Sequence, residues 1–211
     1  MTVPLTGPMN VLVVGDVVGA DAAGWLVSRL PRLREEHHLD WIVVNAENAA
    51  VTGPSPMDGF GITTEIIDTL LGSGADAITG GNHSWDGPDV DKVLDYPQVV
   101  RPANLNETRG QGLLILRHGE LTLTVINLLS PSAALSGMNA PQPQPLWPAW
   151  TRLAATESLP GAVVIDLHGE SPWEGGVCDG SRRPDQRIGG HPHPRPDPAR
   201  PHPSRGHRLR H

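Results

Sequence analysis

Apolar residues gather in short unbroken runs: Val11-Leu12-Val13-Val14, Trp41-Ile42-Val43-Val44, a shorter stretch at 75–79, and Ala162-Val163-Val164-Ile165. Runs of this length without polar alternation fit strands buried on both faces. Between the first two, residues 22–36 carry Trp25, Leu26, Leu30 and Leu33 at helical spacing. That spacing predicts a helix with one apolar face, with Pro31 at a kink or break. Residues 52–61, with Pro54, Pro56, Gly59 and Gly61, read as a surface excursion, after which Ile62-Thr63 opens a helix through Leu71. Strand and helix alternating in this way predict an α/β fold with a parallel sheet.

The second half reads differently. A helix is expected over 89–94, then a strand at Val99-Val100 running into the polar turn Arg101-Pro102-Ala103-Asn104. Residues 112–117 and 121–127 flank His118-Gly119-Glu120, a hairpin signal that makes this part of the sheet mixed. Residues 130–147, rich in Pro, Ser, Gln and Asn, predict a long loop, either near a site or mobile, ahead of a helix over 147–156. No internal repeat is present.

Four of the apolar runs end in polar residues with ligand chemistry: Gly15-Asp16, Asn45-Ala46-Glu47-Asn48, Gly80-Gly81-Asn82-His83-Ser84-Trp85-Asp86, and Asp166-Leu167-His168-Gly169-Glu170. Open α/β sheets collect ligands at the carboxyl ends of their strands. Carboxylate and amide oxygens with imidazole nitrogen suit Mn, Fe, Zn or Mg without a thiolate, so Cys178 need not take part. A carboxylate such as Glu47 can bridge two metals, and His83, beside a ligand, can protonate a leaving oxygen.

Each residue alone also has a blander use. Asp16 can be a turn former or helix cap, and Glu47 and Asn48 solvated loop residues. Asn82 can occupy a left-handed turn with His83 exposed, and His168 can be a hydrogen-bonded histidine at a sheet edge. Their joint placement at successive strand ends argues for a site. A Ser-His-Asp hydrolase would need a serine beside Asp16, where Val17 stands, and Gly15-Asp16-Val17-Val18-Gly19 lacks the dinucleotide-binding spacing.

Composition divides the chain. The 211 residues are 38% hydrophobic with 22 prolines and 24 glycines, and the apolar deficit lies after Cys178, in a segment too polar to offset its ordering entropy. Eight arginines against Asp185 and Asp197 give residues 182–211 a charge of +6, leaving −13 on the rest of a chain whose net charge is −7. An acidic body argues against general duplex binding, and the basic tail alone is a weak nucleic-acid signal. One cysteine excludes an internal disulfide framework, no run is apolar enough to span a membrane, and the start lacks a signal peptide. A cytoplasmic location is therefore expected. Residues 1–8 read as a floppy extension, with Met9 an alternative start.

In order along the chain, Val13-Val14-Gly15-Asp16-Val17-Val18-Gly19, Asn45-Ala46-Glu47-Asn48-Ala49-Ala50, Gly59-Phe60-Gly61-Ile62-Thr63, Gly81-Asn82-His83-Ser84-Trp85, Arg101-Pro102-Ala103-Asn104, Val125-Ile126-Asn127-Leu128 and Asp166-Leu167-His168-Gly169-Glu170 form one set. With these motifs the sequence resembles the YmdB-like bacterial metallophosphoesterases, a branch of the calcineurin-like phosphoesterases. The resemblance implies a layered sandwich of mixed β-sheets flanked by helices, two divalent metal ions (Fe, Mn, Mg or Zn), and hydrolysis of small phosphodiesters such as 2′,3′-cyclic nucleotides. By position, Asp16, Glu47, Asn48, Asn82 and His168 are implied as metal ligands, Glu47 bridging, and His83 as the general acid.

Two departures stand out. The insertion at 51–58 replaces a compact glycine-rich loop. After Glu174 the family continues into a strand ending Gly-Thr-His-Thr-His, whose histidines complete the metal site. This chain has Gly189-Gly190-His191-Pro192-His193-Pro194, in which the prolines forbid normal strand pairing. Codons from Arg182 onward, shifted by one nucleotide, can encode Asp-Gly-Arg-Ile-Ser-Ala-Leu-Val-Gly-Thr-His-Thr-His. The expected organisation is thus a metallophosphoesterase domain over 9–178, C-terminally incomplete, and a disordered basic tail over 179–211, either genuine or frameshifted, with activity impaired by the missing ligands. A homologue that binds nucleotide or protein without catalysis is the alternative, and an incompletely folded product is a third.

Overall fold

The computed structural model describes residues 8–52, 60–107, 109–133 and 139–169. The expectations for the N-terminal extension, for most of the 51–58 insertion and for the tail fall outside them. Seven strands and four α-helices follow one another as β1 (Val11–Val14), α1 (Ala20–Glu36), β2 (Trp41–Asn45), α2 (Thr64–Gly72), β3 (Ala77–Thr79), α3 (Val90–Leu94), β4 (Val99–Val100), β5 (Leu113–His118), β6 (Leu121–Leu129), α4 (Leu146–Thr156) and β7 (Ala162–His168). No helix among the described residues is long and apolar enough to cross a membrane.

The strands form two sheets. One is all parallel in the order β1-β2-β3-β4, and the other has the order β5-β6-β7. In the second sheet β5 pairs antiparallel with β6, as the hairpin signal predicts, and β7 runs parallel to β6. The sheets meet where the Ala103 N–H donates to the Asn127 carbonyl at 2.8 Å.

Alternation along β2 explains the layers, because successive side chains point to opposite faces. Ile42 and Val44 pack with Leu26, Leu30, Ile67 and Leu70 on the helix side. Trp41 and Val43 pack against Leu123 and Val125 of the second sheet. The outer face of that sheet places Ile126 and Leu128 against Leu146 of α4. The result is helix, sheet, sheet, helix, the layered sandwich flanked by helices that the resemblance implies, with one sheet parallel and the other mixed. With both faces of β2 covered, its apolar run has no polar alternation.

Pro31 does not break its helix, and the placement of Trp25 is corrected. α1 continues unbroken through Pro31, which lies on the exposed side, where carbonyls without a helical partner can bond water. Trp25 is not on the core face: it is 59% exposed, with the Arg29 guanidinium 5.1 Å from its ring centroid. β7 extends to His168, so that Asp166 and His168 belong to the strand itself.

Candidate active site

The site forms at the carboxyl ends of β2, β3 and β7. β3 leads through Gly80 and Gly81 into a short 3-10 turn, Asn82–Trp85. A Cβ on Gly81 would lie 1.9 Å from Glu47 Oε2 and 2.7 Å from His168 Cδ2, and one on Gly80 would lie 2.2 Å from Ser84 Oγ. Gly81 has φ −161°, so glycine is needed here for close approach, not for a left-handed backbone. Among the described non-glycine residues only His38 has positive φ, which removes the left-handed reading of Asn82.

The predicted residues come together. His168 Nε2 lies 2.8 Å from Asn82 Oδ1 and 3.0 Å from Glu47 Oε1. Glu47 Oε2 accepts the backbone N–H of His83 at 3.1 Å. Asn48 Nδ2 donates to Glu47 Oε1 at 2.9 Å and reaches Asp16 Oδ1 at 3.5 Å. Glu47 is 1% exposed and His83 8%, so neither is the solvated loop residue of the blander readings.

His83 is held from several sides. Its Nδ1 is 2.7 Å from Asp86 Oδ2, and the Phe60 ring stacks on it at 3.9 Å and 15°. Asp86 Oδ1 accepts from both the backbone N–H and Nδ2 of Asn139. This brings the 130–147 loop to the site. With Asp86 accepting at Nδ1, a neutral His83 ring carries its proton there and leaves Nε2 as the free base.

The electrostatics favour a cation. Burial alone would lower the His168 pKa, but the bond to Glu47 and the charges of Glu47, Asp16 and Asp166 outweigh it and hold it above the ordinary 6.5. The Asp16 residue is exposed overall, yet loss of solvent at its carboxylate, followed by the charge of Glu47, raises its pKa. Burial raises that of Asp166, against the opposing bond from Asn45.

The donors present fit a divalent ion in chemistry. His168 Nε2 faces two oxygen acceptors, and buried Asn48 Oδ1 has no hydrogen-bond partner among the described residues. Among the described residues no Lys or Arg pairs with Asp16, Glu47 or Asp166. The set depends on amides, however: among the described residues no group of three or more His, Cys, Asp and Glu is arranged to hold a metal.

Four contributors have no role assigned from the sequence. Asp86 stands three residues after His83, and the 3-10 turn brings the two side chains together. Asn45 and Asp166 lie within the motifs, but their contacts cross from one sheet to the other. Phe60 gives no sequence signal for stacking.

The fold is similar to that of a novel phosphatase from Mycoplasma pneumoniae, with a TM-score of 0.70 and 25% identity over 81% of this chain and 59% of that one. A hypothetical protein from Thermus thermophilus gives 0.65 and 27%, covering 80% and 61%. Fold and site thus define a phosphoesterase by resemblance. A family model described as YmdB-like protein matches residues 12–178, and the chain belongs to that family. A 2′,3′-cyclic-nucleotide 2′-phosphodiesterase from Bacillus subtilis strain 168 is 34% identical over 191 residues, 88% of this chain and 67% of the relative. The chain spans about three-fifths to two-thirds of the length of these proteins.

Proposed function

We propose that the chain is a metal-dependent phosphodiester hydrolase acting on small substrates such as 2′,3′-cyclic nucleotides. The observation that carries the proposal is the meeting of Glu47, Asn82 and His168 within 3.0 Å from three separate strand ends. In this reading Asp16, Glu47, Asn48, Asn82 and His168 would hold two divalent ions. Bound there, such ions stabilise charge on phosphoryl oxygens and acidify the attacking water. As an imidazolium, His83 gives its Nε2 proton to the leaving oxygen and is left as the neutral ring, its remaining proton held on Nδ1 by Asp86. Phe60 shields one ring face from water.

The substrate class is supported by the activity for which the Bacillus subtilis relative is named and by an acidic body that disfavours long nucleic acids. The single cysteine supports a cytoplasmic setting. The domain is proposed to occupy 9–178. The positions of the two further histidine ligands that the resemblance requires fall in the tail, outside the described residues, and the absence of those ligands would lower activity.

Hydrolysis of 2′,3′-cyclic AMP with Mn2+ and with EDTA tests the reading. Metal-dependent turnover that His83→Ala abolishes supports it. Tight nucleotide binding without turnover, unchanged when the C-terminus of the shifted frame is restored, would favour a binding module instead.

A further inference from the structure

Asp166 is a part-buried carboxylate that the proposed chemistry leaves unused. Its Oδ2 accepts from Asn45 Nδ2 at 2.9 Å and from Asn127 Nδ2 at 3.4 Å. Asn45, buried at the end of β2, spends its whole amide on the site. Nδ2 also donates to the Gly80 carbonyl at 3.1 Å, and Oδ1 accepts the Glu47 N–H at 3.2 Å. One side chain therefore touches the loop that carries Glu47, the turn that leads to Asn82 and the strand that carries His168. Asp166 and His168 are two residues apart on β7 and share a face, so a displacement at one is passed to the other.

We infer that Asn45 and Asp166 form a positioning brace across the sandwich that holds Glu47, Asn82 and His168 in one constellation. An apolar residue at 166 would avoid the cost of desolvating a carboxylate there. What the carboxylate contributes is direction, because its acceptor fixes the Asn45 amide and, through it, three chain segments from two sheets. Partners of this kind, one bond removed from a ligand, set ligand orientation. The inference rests on reading Glu47, Asn82 and His168 as one site, but it concerns geometry that exists without metal or turnover.

The test reads the imidazole of His168 by 15N–1H NMR in the metal-free full chain. A brace that holds His168 Nε2 against Glu47 and Asn82 gives one Nε2–H signal protected from exchange. Asn45→Ala and Asp166→Ala are expected to lose that signal. Asp166→Asn retains an acceptor for the Asn45 amide and is expected to keep it. Asn104→Ala removes a buried amide bonded to Leu129 and Gln144 and is expected to lower the melting temperature with the signal unchanged. Should the alanine variants fail to fold, Asn45→Ser carries the same expectation as Asn45→Ala. Absence of the signal in the parent chain, or its persistence in folded Asn45→Ala, Asp166→Ala or Asn45→Ser, overturns the inference. A chain that binds no metal would count against the proposed function and leave this result readable.

Discussion

The Glu47 carboxylate receives the backbone N–H of His83 at 3.1 Å, which ties the proposed bridging ligand to the residue proposed as proton donor. That bond links the 3-10 turn to the loop after β2. Glu47→Ala is expected to speed amide hydrogen exchange at His83 and to weaken divalent binding by about 10-fold or more, read by exchange mass spectrometry and calorimetry. Unchanged exchange at His83 would show that the contact holds nothing in place.

Gly81→Ala introduces a Cβ into the space held by Glu47 Oε2 and His168 Cδ2. Overpacking of this kind costs about 1–3 kcal/mol. The expected result is a lower melting temperature together with loss of divalent binding. A variant that binds metal as the parent does would mean that the two side chains can part without consequence.

The stability of the metal-free chain depends on pH with a definite sign. His168 has a folded pKa above its ordinary 6.5, so its contribution is complete below 6.5 and lost as pH rises through the folded value. Asp166, also raised above its ordinary 3.8, acts in the same direction, since the folded chain holds its proton longer. Thermal unfolding in EDTA is expected to give a higher Tm at pH 6 than at pH 8. With Mn2+ the trend should weaken or invert, because ligation needs neutral imidazole and ionised carboxylates. A higher Tm at pH 8 in EDTA would contradict the charge assignment.

On α1, Leu30→Ala should destabilise by about 2–5 kcal/mol, because a fully buried side chain leaves a cavity. Trp25→Ala should cost less than about 1 kcal/mol, the scale of an exposed cation–π contact. Equal losses in chemical denaturation would place Trp25 against a partner surface.

Replacing residues from Arg182 onward with the shifted-frame sequence is expected to raise 2′,3′-cyclic AMP hydrolysis by at least about 10-fold, because losing even a partner one bond removed from a ligand costs that much. No gain, or early stops in that frame of the gene, would make the basic tail genuine.

The runs Val11–Val14 and Trp41–Asn45 are readable as strands because covering on both faces leaves an unbroken apolar string, and the polar residues at their ends mark the site edge. The parallel pairing follows from helices between strands, and the β5-β6 hairpin from its turn. The division into two sheets is not readable: β4 is two residues long, and whether β5 extends its sheet or opens another depends on packing across Trp41 and Val43. Trp25 misleads because apolarity and helical spacing do not say which flank of a stripe meets the core. Asp86, Asn45 and Asp166 escape sequence reasoning because a carboxylate or amide acquires its role from the hydrogen bonds it makes, and two of these three reach across sheets.

Anomalous diffraction from crystals of the chain soaked in Mn2+ tests the central claim most directly. A manganese peak within coordinating distance of Glu47, Asn82 and His168, displacing the direct His168 to Glu47 hydrogen bond, is the predicted result. Retention of that hydrogen bond with manganese absent, or bound elsewhere, would contradict it.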